Sequence, residues 1–209
     1  MGKYEANKKE KESGEEKQMS LGQTLLEYAH DMAYILVTVL LLFTFLLRIV
    51  VVSGDSMFDT LVNGDYLLLI NSPLCGELEQ GDIVVASMDR FRDGEAIVKR
   101  VIATGGQTVD IDFDEGIVYV DDEALEESYT FTHTNISEGM AFPLVVEDGC
   151  LFLMGDNRNE SMDSRDPQIG LVDEREILGK AVLVLLPGEG TWKHPVERDF
   201  TRIGGLSNG

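Results

Sequence analysis

Apolar residues form one long block near the start of the chain and break into short runs after it. Residues 32–52 (MAYILVTVLLLFTFLLRIVVV) are apolar almost throughout, and roughly 20 such residues cross the ~30 Å hydrocarbon core of a bilayer. The one charge, Arg48, stands near the end, where a long side chain reaches the interface. The run predicts a transmembrane helix. A cleavable secretory signal fits less well, because the block is too long and no small-x-small site follows it; a fully buried core helix is the other competitor. Residues 1–31 read as a cytoplasmic tail: the first 20 or so are rich in Lys, Glu and Ser without apolar periodicity, which predicts disorder, and 21–31 start a short helix toward the membrane. Lys3, Lys8, Lys9, Lys11 and Lys17 precede the block, and after Arg48 the next basic residue is Arg90. That bias places the N-terminus inside and everything from about 53 onward outside.

Beyond residue 53 the apolar runs are short. Segments 66–70, 82–86, 96–103, 108–111, 117–120, 151–154 and 180–186 are rich in Val, Ile and Leu, and turns such as Asn63-Gly64-Asp65 and Gly105-Gly106 separate them. Short strands at this spacing predict an antiparallel, closed or sandwiched all-β domain. Residues 121–148 are acidic and aperiodic and read as part of an inserted lobe at about 106–148. The expected architecture is mainly β: a single N-terminal transmembrane helix, an extracytoplasmic domain over 53–190 and a C-terminal tail over 191–209.

Composition removes several functions. The formal net charge of the 209 residues is -21, and no basic stripe exists to meet phosphates, which excludes nucleic acid as a partner. The three histidines, His30, His133 and His194, form no HExxH, and the two cysteines, Cys75 and Cys150, form no CxxC. The sequence therefore calls for no metal and no cofactor. Cys75 and Cys150 pair or stay free depending on compartment.

Three clusters carry candidate chemistry. In a strand over 96–103, Ile97, Lys99, Val101 and Ala103 share one face, and Val98, Arg100 and Ile102 the other. Among apolar neighbours an amine is desolvated, its pKa falls, and it becomes a general base that arginine cannot replace; the alternative is an edge-strand lysine with its head in water. Ser56, in the turn Ser53-Gly54-Asp55-Ser56-Met57, either bonds its own backbone or is an exposed nucleophile beside oxyanion-binding N–H groups. A serine–histidine–aspartate triad is disfavoured, since none of the histidines has a supporting motif. The loop Gly155-Asp156-Asn157-Arg158-Asn159-Glu160-Ser161-Met162-Asp163-Ser164-Arg165 is either a solvated turn or one held by ion pairs. Arg100, if buried, needs a carboxylate, from Asp156 or Asp163.

These clusters, with Gly64-Asp65-Tyr66-Leu67-Leu68, Gly81-Asp82-Ile83-Val84-Val85 and Ile177-Leu178-Gly179-Lys180-Ala181 in order, strongly resemble bacterial type I signal peptidases of the Gram-positive kind over roughly residues 30 to 190. The resemblance implies an endopeptidase that removes signal peptides from exported preproteins at the membrane surface, cutting after Ala-x-Ala-type sites. It implies Ser56 as nucleophile and Lys99 as general base, with Ser161 hydrogen-bonded to the lysine amine. Ion pairs Arg100–Asp156 and Asp163–Arg165, the Ser56 N–H as oxyanion donor, and Met57 and Ile97 at the substrate complete the implied site. It implies exported preproteins and membrane lipid as partners, and a monomer. The chain departs from the family at Gly54, where some members donate a second oxyanion bond from a hydroxyl, and at Asp59, where proline is usual. Rival readings are a pilin-dedicated enzyme, a non-catalytic pilus-assembly relative, and the soluble self-cleaving repressors that share the dyad.

Overall fold

A computed structural model of the chain describes residues 21–206. The expected disordered tail over residues 1–20 lies outside the described residues. Helix α1, Leu21–Phe45, is 25 residues long with no residue buried, about 37 Å at the helical rise. It is long and apolar enough to cross a membrane, which fits a membrane anchor.

The helix does not run to Val52 as the hydropathy suggests. Leu47–Val51 is strand β1, antiparallel to β2, Tyr66–Asn71, in the register Leu47↔Ile70 to Val51↔Tyr66. Ile49, Val50 and Val51 are β-branched, which suits a pleated strand better than a helix, and β2 offers their backbone groups a ladder.

The remaining strands are β3 (Ile83–Ser87), β4 (Ala96–Thr104), β5 (Thr108–Asp112), β6 (Ile117–Val120), β7 (Glu123–Ala124), β8 (Leu144–Val145), β9 (Cys150–Met154), β10 (Val172–Asp173), β11 (Ile177–Leu186) and β12 (Gly204–Gly205). The larger sheet has the order β1-β2-β11-β3-β4-β9-β10, with β12 also on β11; the smaller is β7-β6-β5-β8. Period-2 alternation sorts the larger sheet's side chains. Val84 and Ala86 join Val101, Leu151 and Leu153 in one cluster, whereas Ile83 and Val85 join Leu67, Leu69, Ala181 and Val184 in another. The smaller sheet packs Val109, Ile111, Val118 and Val120 against Ile102, Phe152 and Met154.

Two expectations need correction. Strict alternation put Ala103 on the Lys99 face, but the β4–β9 register slips between Val101↔Leu153 and Ala103↔Phe152. The extra residue is a β-bulge, and Ile102 and Ala103 consequently enter the same cluster. Nor do residues 191–206 form a free tail. They bridge Gly190 to Pro195, pass through a 3-10 turn at Phe200–Arg202, and end as β12 on β11.

Candidate active site

The turn that carries Ser56 belongs to no strand. Gly54 holds φ +93° there, a region closed to most side chains. Contacts that fix the turn include the Gly54 N–H donating to Asn63 Oδ1 (3.0 Å), the Asn157 N–H donating to the Ser56 carbonyl (3.0 Å), and Asn157 Nδ2 donating to the Asp55 carbonyl (3.1 Å). The approach of the 155–165 loop is so close that a Cβ on Gly155 would lie 2.2 Å from Ser161 Oγ and 2.4 Å from the Ser56 carbonyl. No residue larger than glycine fits there.

β4 brings Lys99 to the turn. Lys99 pairs with Val84 across the β3–β4 ladder and is 3% exposed. Its Nζ donates to Ser56 Oγ at 2.7 Å. Burial lowers its pKa from 10.5 to about 8, against the opposing pull of Asp163 and Glu138. Desolvation wins because no carboxylate touches the amine: among the described residues its one hydrogen bond is to the Ser56 hydroxyl. An amine so placed is set to receive that hydroxyl's proton.

The polar loop is a buried ion-pair network rather than a solvated turn. Arg100 forks onto Asp156, Nε to Oδ1 at 2.9 Å and Nη2 to Oδ2 at 2.7 Å. Arg165 forks onto Asp163 at 2.8 Å through both arms. All four side chains are buried, so each charge is neutralised with fork geometry where it would otherwise cost several kcal/mol. Burial pulls the Asp163 carboxyl upward, but Arg165, the Gly155 N–H and the Lys99 charge outweigh it and leave the pKa below its ordinary value.

The Ser161 assignment changes. Its hydroxyl donates to Asp163 Oδ2 at 2.8 Å, and no Ser161–Lys99 hydrogen bond is present among the described residues. A charged carboxylate two residues away is the stronger acceptor. Beside the dyad lies a cleft of about 260 Å³ whose lining includes Val52, Met57, Ile97, Val98 and Met162. Met57 and Ile97 both line this cleft, and Met57 is also 1% exposed and part of the core.

Matching the sequence against known families places residues 25–186 in the one described as signal peptidase, peptidase S26. The chain belongs to the S26 signal peptidase family. "Signal peptidase I S" of Bacillus subtilis (strain 168) is 32% identical over 178 residues, covering 81% of this chain and 93% of that protein. "Probable signal peptidase I-1" of a Synechocystis strain is 36% identical over 160 residues, covering 73% and 78%. A solved signal peptidase I from Enterococcus faecalis V583 is 27% identical and covers 50% of this chain and 96% of that one, with a TM-score of 0.40.

Several residues of this S26 peptidase escaped the sequence. Asn157 holds the Ser56 turn from two atoms. Glu138 sits 3.7 Å from Arg165, its carboxyl raised by burial and by Asp163 to about 7. Asp55, Glu160 and His194, far apart in sequence, bring ligand-type atoms within 4.8 Å of one another beside the turn. Only the polar density of 155–165 signalled any of this. Cys75 and Cys150 are free thiols.

Proposed function

We propose that this protein is a membrane-anchored serine endopeptidase that removes signal peptides from exported preproteins, with Ser56 as nucleophile and Lys99 as general base. The observation that carries the reading is the 2.7 Å contact between a buried, desolvated amine and the hydroxyl of an irregular, tightly held turn.

Neutral Lys99 takes the Ser56 proton as Oγ attacks the scissile carbonyl. The Ser56 N–H makes no hydrogen bond among the described residues, which leaves it to stabilise the oxyanion. Collapse of the tetrahedral intermediate breaks the C–N bond; the Lys99 ammonium returns its proton to the leaving amine, and an acyl-enzyme remains. Lys99 then deprotonates a water that hydrolyses the ester. Arg100–Asp156 and Asp163–Arg165 fix the loop that presses on the Ser56 carbonyl, and Ser161 acts through Asp163. The small cleft walled by Met57 and Ile97 suits alanine-sized side chains before the cut, since added bulk is rejected sterically. The lysines ahead of α1 argue for a cytoplasmic N-terminus and an outer catalytic domain, with the smaller sheet as the inserted lobe. The anchor confines enzyme and preprotein to one plane, which replaces part of the affinity a soluble protease needs.

The test is cleavage of a preprotein with an Ala-x-Ala site by the full-length protein in detergent, read by mass spectrometry at the junction. Wild type cuts, and Ser56→Ala and Lys99→Ala do not while keeping their melting transitions. Unchanged turnover by either variant overturns the dyad.

A further inference from the structure

The family match ends at residue 186, yet the chain beyond it returns to residues 55–65, the Ser56 turn and the stretch after it, in six residue pairs. The Gly188 N–H donates to Asp65 Oδ1 at 2.7 Å. Asn63 and Gly190 exchange two hydrogen bonds, Gly190 N–H to the Asn63 carbonyl and Asn63 Nδ2 to the Gly190 carbonyl, each 3.1 Å. Thr191 Oγ1 donates to Asp55 Oδ2, and the His194 ring stacks on Phe58 with centroids 4.6 Å apart. Arg202 forks onto buried Asp65 at 3.1 and 2.8 Å and donates to the Thr60 carbonyl at 3.1 Å. At Gly188 the approach leaves no room for a side chain, since a Cβ would lie 2.2 Å from the Asn63 carbonyl.

All these contacts fall on residues 55–65, the nucleophile turn and the stretch after it, which contain no strand to hold them. Local backbone hydrogen bonds, such as Phe58 N–H to the Asp55 carbonyl and Leu61 N–H to the Met57 carbonyl, shape the segment, and contacts from elsewhere in the chain fix its position. Asn157 holds it from one side, through the Asp55 and Ser56 carbonyls, and the C-terminal segment holds it from the other. The Asp55 carboxylate is the most dependent point. Its Oδ1 is buried with no hydrogen-bond partner among the described residues, and Thr191 supplies the one hydrogen bond its Oδ2 receives. Without that hydroxyl the carboxylate would have to turn toward water, dragging the residue that immediately precedes Ser56.

We infer that residues 188–202 are a strap that sets the position of Ser56 against Lys99, and that Thr191 is a positioning residue for the peptidase reaction, acting through Asp55. The inference rests on Ser56 being the nucleophile. A segment outside the family match thereby becomes part of the catalytic apparatus of this chain. The predicted effect is on turnover rather than on substrate binding, because Thr191 moves the attacking oxygen.

The experiment compares full-length wild type, Thr191→Val, Thr191→Ala and Thr191→Ser in detergent on an Ala-x-Ala preprotein, with Ser56→Ala alongside. Removing one hydrogen bond to a carboxylate and loosening the attack geometry lowers kcat about tenfold in the Val and Ala variants, with KM within about twofold. Thr191→Ser, which keeps the hydroxyl, returns kcat to within about twofold of wild type. Melting temperatures identify any variant that fails to fold, and either Val or Ala suffices for the comparison. The strap proposal is overturned if both Val and Ala keep wild-type kcat, or if Ser is as slow as they are, while Ser56→Ala is inactive. Cleavage by Ser56→Ala would instead remove the nucleophile assignment beneath it.

Discussion

The desolvation of Lys99 makes a quantitative statement about pH. An ordinary lysine at 10.5 holds roughly 0.03% neutral amine at pH 7, whereas a pKa of about 8 holds roughly 10%, a gain of about 300-fold in free base. The rate limited by that base rises tenfold per pH unit below the folded pKa and levels above it. The ascending limb of kcat/KM for preprotein cleavage therefore bends near pH 8. Burial is the largest cause, and the Asp163 and Glu138 carboxylates oppose it by holding the proton on. Asp163 is committed to Arg165, so Glu138 is the more accessible lever. Its carboxyl ionises at about 7, so it is half charged at pH 7 and almost fully charged where the limb bends near pH 8. Glu138→Gln removes that charge while keeping an acceptor for the Asp163 N–H, which donates to Glu138 Oε2 at 3.4 Å. The limb then moves down by about half a pH unit, the size expected for one partly exposed charge. Activity at pH 7 rises accordingly. Initial rates between pH 6 and 10.5 in one mixed buffer at constant ionic strength decide it. A wild-type limb that keeps climbing to 10 or beyond refutes the buried-amine account, and a Glu138→Gln limb that stays put or moves up refutes the role given to Glu138.

Two further substitutions probe the frame around the dyad. Asp156→Asn leaves the Arg100 guanidinium buried without its counter-charge, and breaking such a pair costs about 3–5 kcal/mol; urea unfolding of the full-length protein measures it, and a loss under about 1 kcal/mol would contradict the buried fork. Gly155→Ala forces a methyl group into contact with both Ser161 Oγ and the Ser56 carbonyl. Displacement of the nucleophile by a fraction of an ångström to an ångström lowers kcat by about a hundredfold, and a variant within twofold of wild type would show that the turn tolerates the shift.

The strands were legible in the sequence because they rest on local pattern, whereas Ser56 and Lys99 stood out as a proposed dyad only through the family resemblance. Period-2 runs such as 82–86 and 96–103 alternate between two packed faces, and an amine in the middle of one has few places to go except into the protein. What escaped depends on partners distant in the chain. Leu47–Val51 has the hydropathy of the helix before it, and only pairing with Tyr66–Asn71 makes it a strand. Segment 188–206 carries no apolar period, so it reads as a tail; Thr191 meets Asp55 across 136 residues and Arg202 meets Asp65 across 137. The bulge at Ile102 is set by the β9 register and has no local signature. For Ser161 the reason was chemical: its hydroxyl donates to the Asp163 carboxylate two residues on, a charged acceptor that outcompetes a neutral one.

That last outcome bears on how the amine proposed as the base keeps a lowered pKa in so charged a site. Asp163 accepts from Arg165, from the Gly155 N–H at 3.0 Å and from Ser161 at 2.8 Å, and Asp156 accepts both arms of Arg100. Each nearby buried carboxylate is already engaged by donors other than Lys99. Had either been open to Nζ, the ion pair would have stabilised the ammonium and pushed the pKa back toward its ordinary range. The two arginines, which cannot give up their protons, are the residues suited to fill those positions permanently. Lys99 is left with a neutral hydroxyl as its partner and an apolar strand around it. The ion pairs hold the loop in place, and by occupying the carboxylates they also leave the Lys99 amine free for the base role proposed for it.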